Sequence, residues 1–310
     1  VMVGSLAAPA FTVQAADDTL VYWSMWEATE PQGQVIQEAV DAYTEQTGVK
    51  VDLQFKGRTG NREALQPALD GGTQIDIFDE DIDRVNGMYG KYLLDLEDLA
   101  KENDYEATAN AGLMAACRDA GGGTLKTIPY QPNVFAFFYN KDLFDAAGVA
   151  YPEDGMTMAE YHELAAKMTS GEGNDKVYGA HVHTWPSNVY NYPNRTGKFN
   201  FTDPDTYANL TDYYNEILAM QDEGLVQDYG VLKSSNIHYS GVFYNQQAAM
   251  LQIGTWYINM LCENVKDFNW GVCALPNNDG IKNENSVGGV TPVSIGAYAK
   301  HPAEAWQFIT

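Results

Sequence analysis

Pro129-Tyr130-Gln131-Pro132-Asn133-Val134-Phe135-Ala136-Phe137-Phe138-Tyr139-Asn140-Lys141-Asp142-Leu143-Phe144-Asp145-Ala146-Ala147-Gly148-Val149 is the stretch that decides the architecture. It reads as an extended apolar strand that leaves a Pro-bounded turn and enters a short helix ending at Gly148, carrying the chain from one body to another. Strand and helix signals alternate upstream of it. Leu20-Val21-Tyr22-Trp23 is a short strand, and Val35, Ile36, Ala39, Val40 and Tyr43 then recur at helical spacing until Gly48. Val49 to Phe55 alternates as a second strand. A helical stretch around Ala64, Leu65, Ala68 and Leu69, kinked at Pro67, leads to a third strand at Ile75-Asp76-Ile77-Phe78. Such units build a mostly parallel sheet covered by helices, an α/β fold.

Downstream, Thr157 and Glu160 form a capping box for a helix carrying Tyr161, Leu164, Ala165 and Met168. Asp203-Pro204 opens another, with Tyr207, Leu210, Tyr214, Ile217 and Leu218 on its buried side. Between them, Gly179 to Asn200 reads as a long loop rich in Gly, Asn and aromatics, a composition associated with function or disorder. There is no internal repeat and no Ser/Gly linker, so structured strands join the bodies.

At 310 residues the chain exceeds what one hydrophobic core usually serves, and two lobes are expected. A formal net charge of −24 argues against nucleic acid and against phosphorylated or strongly acidic ligands. With 20 Tyr, 12 Phe and 6 Trp, rings suited to sugar faces are plentiful, although most are expected in the core. Val1 to Ala16 is apolar and rich in small residues before the chain turns acidic at Asp17-Asp18. It reads as a signal-peptide remnant, with Val13-Gln14-Ala15 as the small-x-small end. No Cys stands at that junction to carry a lipid. Export is the reading, to the periplasm or the extracytoplasmic face of a bacterium. Cys117, Cys262 and Cys273 form neither a disulfide framework nor a zinc spacing. A bridge between Cys262 and Cys273 and three buried thiols are both open.

In open parallel sheets, ligands sit beyond the carboxyl ends of the strands. The loops there are Ser24 to Glu30, Asp79 to Asp83, Tyr130 to Asn133, Gly254 to Tyr257 and Gly288 to Thr291. In the first, Trp26 and Glu27 pair a stacking face with a hydroxyl acceptor, or else are a packed Trp and a helix-start Glu. Asp79, Glu80, Asp81 and Asp83 form an acidic run suited to sugar hydroxyls, to Ca²⁺ or to a polyamine. One or two are expected to face ligand, Glu80 and Asp83 first. Tyr130 and Asn133, Trp256 and Tyr257, and Gly289 are the candidates from the other loops. His183 and Trp185 alternate with His181 on one face of a strand, as a cleft wall or plain packing. Arg58 is a candidate donor or a surface Arg. No metal site and no cofactor is expected. Nucleophile-elbow, His-Glu-x-x-His and phosphate-loop motifs do not occur, and carboxylates crowded on one loop are poorly placed as separate acid and base.

Four stretches in order resemble the extracellular solute-binding proteins of bacterial ABC sugar importers, family 1, the maltose-binding-protein-like group. They are Leu20 to Leu53 ending in Thr47-Gly48-Val49-Lys50-Val51; Gln74 to Leu96 with Asp83-Arg84; Phe243 to Tyr257 with Ala248-Ala249-Met250 and Gly254-Thr255-Trp256; and Trp270-Gly271-Val272 with Leu275-Pro276 and Gly288-Gly289. The resemblance implies a two-lobed periplasmic binding protein type II fold with discontinuous lobes, 17–131 with 291–310 and 132–290. It implies a carbohydrate held between the lobes, hinge closure on binding, delivery to ABC importer membrane subunits, and a monomer that is not an enzyme. Relatives continue through further helices past the position of Thr310, so C-terminal helices are expected to be missing. Glu80 stands where maltose-binding members carry a stacking Trp and Asn133 where they carry a carboxylate, departures that argue against maltose itself; the expected ligand is an oligosaccharide or another neutral polyol. A cationic solute such as a polyamine, or a secreted carbohydrate-active enzyme, is the alternative.

Overall fold

The computed structural model describes residues 19–195, 200–276 and 288–310. Residues 1–16, read above as an export remnant, lie outside them. The chain divides into two compact units, one formed by residues up to Gln131 with Val290–Thr310, the other by Pro132–Gly289.

In the first unit, β1 (Thr19–Ser24) is followed by α1 (Pro31–Thr47), β2 (Lys50–Phe55), α2 (Gly57–Asp70) and β3 (Ile77–Asp79). Pro31 opens α1, Ile36, Val40 and Tyr43 make its buried stripe, and Gly48 ends it in the left-handed region. Pro67 is accommodated inside α2. β1 pairs in parallel with β2, Thr19 opposite Lys50, and with β3, Tyr22 opposite Ile77. Short helices α3 (Ile82–Arg84) and α4 (Glu97–Glu102) lead to α5 (Ala111–Ala120), capped by the Asn110 side chain. Beyond Gly121-Gly122-Gly123 no strand forms at Leu125, which is buried in the unit's core.

The quoted segment is one continuous strand, β4 (Ile128–Asn140), followed by α6 (Lys141–Ala147). No turn interrupts it at the prolines. Pro129 and Pro132 keep the extended backbone that proline prefers, within the strand.

The second unit continues with α7 (Met158–Met168), β5 (Tyr178–His181), α8 (Pro186–Arg195) and α9 (Ala208–Asp222). Thr157 and Glu160 make both bonds of the capping box, at 3.2 and 2.8 Å. Two expectations need correction. The stretch read as a loop from Gly179 to Asn200 contains most of β5 and all of α8, because buried Asn188 and Asn191 and the stacked Tyr192 bind α8 to the core. Asp203 caps a single turn, Pro204–Thr206, and α9 starts only after it, burying Tyr213 and Met220 while Tyr214 and Leu218, expected on the buried side, are exposed. Then follow α10 (Tyr229–Ser234), α11 (Tyr239–Tyr244), β6 (Ala248–Gly254), α12 (Tyr257–Asn264) and β7 (Trp270–Cys273). β4 runs antiparallel to β6 and to β7, while β5 pairs with β6 in parallel. The chain re-enters the first unit along β8 (Gly288–Ile295), antiparallel to β3, and reaches α13 (Pro302–Ile309). Strand pairing within each unit is therefore mixed rather than mostly parallel.

Each unit has its own cores. Leu20, Ile77, Leu125, Ile295 and Trp306 belong to the first, and Phe137, Tyr161, Met250, Phe243 and Tyr257 to the second. All three cysteines are free; Cys117 is buried, but Cys262 is exposed and Cys273 half-buried. No described helix is long and apolar enough to cross a membrane.

Candidate functional site

In the first unit the carboxyl ends of β1 and β3 bring the loop around Trp26 beside the acidic run. The Trp26 indole N–H donates to the Tyr130 hydroxyl at 2.6 Å, and the Arg58 guanidinium lies 4.7 Å over the indole ring. Trp26 is only 5% exposed, so its ring is mostly covered. Arg58 donates to both Asp81 oxygens at 2.9 Å, and Arg62 adds a third bond at 2.7 Å. Burial works against the Arg58 charge, but Asp81 outweighs it and raises its pKa overall. Glu27 is exposed, its N–H held by Glu30 at 2.7 Å. Its carboxylate occupies space that only a glycine leaves free, since a Cβ on Gly57, whose φ is +64°, would overlap Oε1.

The acidic run divides sharply. Asp79 is fully buried, accepting from the Tyr22 hydroxyl at 2.6 Å and the Met25 N–H at 2.7 Å, and burial pushes its pKa up to about 6 against those bonds. Glu80 is 1% exposed. It accepts from the Asp81 N–H at 2.9 Å and the Asn61 amide at 3.3 Å, with Arg84 at 3.7 Å and Arg62 at 4.0 Å. Burial raises its pKa as well, opposed by these donors and cations. The structure thus places Glu80 as an internal pillar of the loop. Asp83, in the first turn of α3, is exposed.

In the second unit, β5 ends at His181, and the chain then places His183 and Trp185 against α11 and the end of β6. His183 meets Trp185 edge-on at 4.7 Å and Tyr239 at 5.1 Å between ring centres; Trp185 in turn lies 5.6 Å from Tyr239 and 6.2 Å from Trp256. The Trp256 N–H donates to the Tyr239 hydroxyl at 3.1 Å, and Phe135 packs edge-on against the indole at 5.4 Å. This ring can fold back because residue 254 is glycine: a Cβ there would overlap the six-membered ring of the indole. His183 is 4% exposed while Trp185 is 38% exposed, so the imidazole supports from behind what the indole presents. Asn133 is half-buried on β4, and Gly289 is exposed at the start of β8. Tyr257 is placed differently from its neighbour. It is fully buried among Phe138, Tyr239 and Phe243, and burial raises its pKa.

The structure therefore assembles two groups within separate units, Trp26, Arg58 and Tyr130 in one and His183, Trp185 and Trp256 in the other. Sequence reasoning passed over Tyr239 and His238, whose rings stand 4.1 Å apart at the start of α11, and Phe135. Their only sequence signal is an aromatic at a helix start and one more aromatic in an apolar strand. Among the described residues no group of three or more His, Cys, Asp or Glu is arranged to hold a metal ion.

The chain as a whole has counterparts among known proteins. The family model of bacterial extracellular solute-binding proteins matches residues 27–310. The chain belongs to that family. Among solved structures it is similar to a sugar transporter from Rhizobium etli in an open conformation, at 29% identity with a TM-score of 0.77, covering 94% of this chain and 75% of that one. It is similar in fold to an ABC substrate-binding protein from Listeria monocytogenes in complex with cycloalternan, at 22% identity, TM-score 0.77, 94% of this chain and 74% of that one. A putative binding protein of Brucella abortus is 26% identical over 196 residues, 59% of this chain. The match spans 45% of that relative's length.

Proposed function

We propose that this family member captures a neutral carbohydrate, most simply an oligosaccharide, outside the cytoplasm and hands it to an ABC importer, acting as a monomer without chemistry on the sugar. The observation that carries the reading is the uncharged aromatic face of the second unit, where Trp185 and Trp256 are braced by Tyr239, His183 and Phe135. Ring faces of this kind match the C–H faces of pyranoses. The likeness to a sugar transporter at 29% identity points the same way. On this reading Glu27, Asp83, Tyr130 and Asn133 are the candidates for hydroxyl contacts, and Gly289 for close backbone approach. A cationic ligand is not favoured, because Asp81 is already engaged by Arg58 and Arg62 and Glu80 is internal.

The test is calorimetry and thermal shift of the protein with maltotriose, mannotriose, spermidine and Ca²⁺, with recovery of the sugar afterwards. A neutral trisaccharide should bind saturably and be recovered intact. Truncation of a ring anchor typically costs about 2 kcal/mol, roughly thirtyfold in affinity, and Trp256→Ala should show at least that. Shortened sugar products would turn the reading to an enzyme. Binding of spermidine alone, or unchanged trisaccharide affinity in a folded Trp256→Ala, would overturn it.

A further inference from the structure

We propose that His183 is a positioning residue whose neutral imidazole holds Trp185 and Tyr239 in register, so that the aromatic face of the second unit, and carbohydrate capture with it, is lost on mild acidification. The second half of this statement rests on the carbohydrate reading above; the first half does not.

The geometry singles out His183 as the piece behind the face. Its ring touches Trp185 and Tyr239 edge-on at 4.7 and 5.1 Å, and Tyr239 is the residue to which the Trp256 N–H is anchored. Two other imidazoles flank it, His181 at 5.8 Å and His238 at 5.7 Å. His181 Nδ1 is taken by Gln227 at 2.7 Å. Two further ring nitrogens, His181 Nε2 and His183 Nδ1, are buried with no hydrogen-bond partner. A proton added at either would create a charge with no acceptor beside it, which costs far more than a missing neutral bond.

The surroundings offer no relief. The groups acting electrostatically on His183 are His181 from β5, His238 from the turn before α11 and Lys233 from α10, all of one sign when charged. Burial first, and these neighbours second, push His183 down to about 3; burial likewise pushes His181 down to about 4, and lowers His238. The sign follows from linkage. Once the face opens, the imidazoles regain an ordinary pKa of about 6.5 and take up protons that the closed arrangement refuses. Closure is therefore favoured above about pH 6.5 and weakens below it. Each such histidine makes opening roughly tenfold easier per pH unit, so His181 and His183 together contribute up to about 10⁴-fold by pH 4.5.

The experiment follows near-ultraviolet circular dichroism and tryptophan fluorescence of the unliganded protein from pH 8 to 4.5, with far-ultraviolet dichroism as the check on secondary structure. Maltotriose and mannotriose affinities are measured across the same range. The wild type should lose its near-ultraviolet signal below pH 6.5 with the far-ultraviolet spectrum retained, and bind at least tenfold more weakly at pH 4.5 than at 7.5. His183→Phe keeps a ring against Trp185 and Tyr239 but cannot take a proton, so it should retain the signal at pH 7.5 and shift its loss by about one pH unit or more. Should that variant fold poorly, His183→Gln provides the same reading. A wild-type spectrum that does not change down to pH 4.5 overturns the proposal, as does a transition at the same pH in wild type and variant. If neither trisaccharide binds at pH 7.5 while the transition and its shift are present, the carbohydrate reading falls and the positioning role stands.

Discussion

The two units meet the problem of a polar surface at strand ends with opposite chemistry. In the first, carboxylates are answered by cations and neutral donors: Asp79, Glu80 and Asp81 follow one another at the end of β3 and are met by Tyr22, Asn61, Arg58, Arg62 and Arg84. In the second, the face is built from Trp185, His183, Tyr239 and Trp256, none of them charged at neutral pH. The contrast explains why a formal charge of −24 is a poor guide to the ligand. Three of the four carboxylates in the most acidic loop are consumed internally.

The strongest way to break this contrast is to remove the pillar of the ionic side. Glu80→Ala strips the acceptor from the Asp81 N–H and the Asn61 amide and removes the carboxylate beside Arg84. Breaking a buried charge cluster by taking one partner typically costs about 3–5 kcal/mol. Urea unfolding should show a loss of that order, with Glu80→Gln intermediate. A variant of unchanged stability that no longer binds sugar would make Glu80 a ligand group and remove the distinction between the two units.

A smaller effect should separate the units by their response to acid. Asp79 sits at about 6 in the folded chain, against an ordinary carboxylate value of 3.8. Its charged form is the one disfavoured by folding, so its contribution runs against stability above pH 6 and is relieved as pH falls toward 3.8. The imidazoles of the second unit act in the reverse sense over the same interval. Relative to Asp79→Asn, the wild type should gain about 2 kcal/mol of stability between pH 7.5 and 4.5. Denaturant titrations at both values measure this, and a difference that does not vary with pH refutes the assignment.

What is legible in the sequence follows the same division. Periodicity and capping are local, so the stripe Ile36, Val40 and Tyr43 and the Thr157–Glu160 box are readable from the residues alone. The strand through Pro129 and Pro132 is not, because whether a ladder needs a given N–H depends on a partner strand far away in sequence. The candidate site is half legible. Trp256 after Gly254 is a local signal, and the indole does fold over that glycine. Glu80 and Tyr257 stand next to good candidates, yet which neighbour turns inward is decided by Arg84 and Asn61 for one and by the core of Phe138 and Phe243 for the other. His238 and Tyr239 reach the aromatic face only because α11 packs beside the end of β5. More than 50 residues separate them from His183, and no local pattern announces such a meeting.

The smallest expected effect sharpens the comparison inside the second unit itself, where one histidine behaves unlike the other three. His162 on α7 bonds Glu216 at 2.6 Å and Glu223 at 3.1 Å, both on or just after α9. The bond to Glu223 is the leading cause that raises its pKa, with burial opposing and Glu216 adding to it. A raised value means that the folded chain holds the proton more tightly than the unfolded one. The stabilisation is therefore fully present below the unfolded value of about 6.5 and is lost as pH rises through the folded value. Glu223 is largely exposed, which screens the pair and limits the gain to about 1 kcal/mol or less. His162→Gln should lower the melting temperature at pH 6 and leave it nearly unchanged at pH 9. Should the variant be equally destabilised at both, His162 contributes packing rather than charge. The acid response of the unit would then be set by His181, His183 and His238 with no opposing histidine.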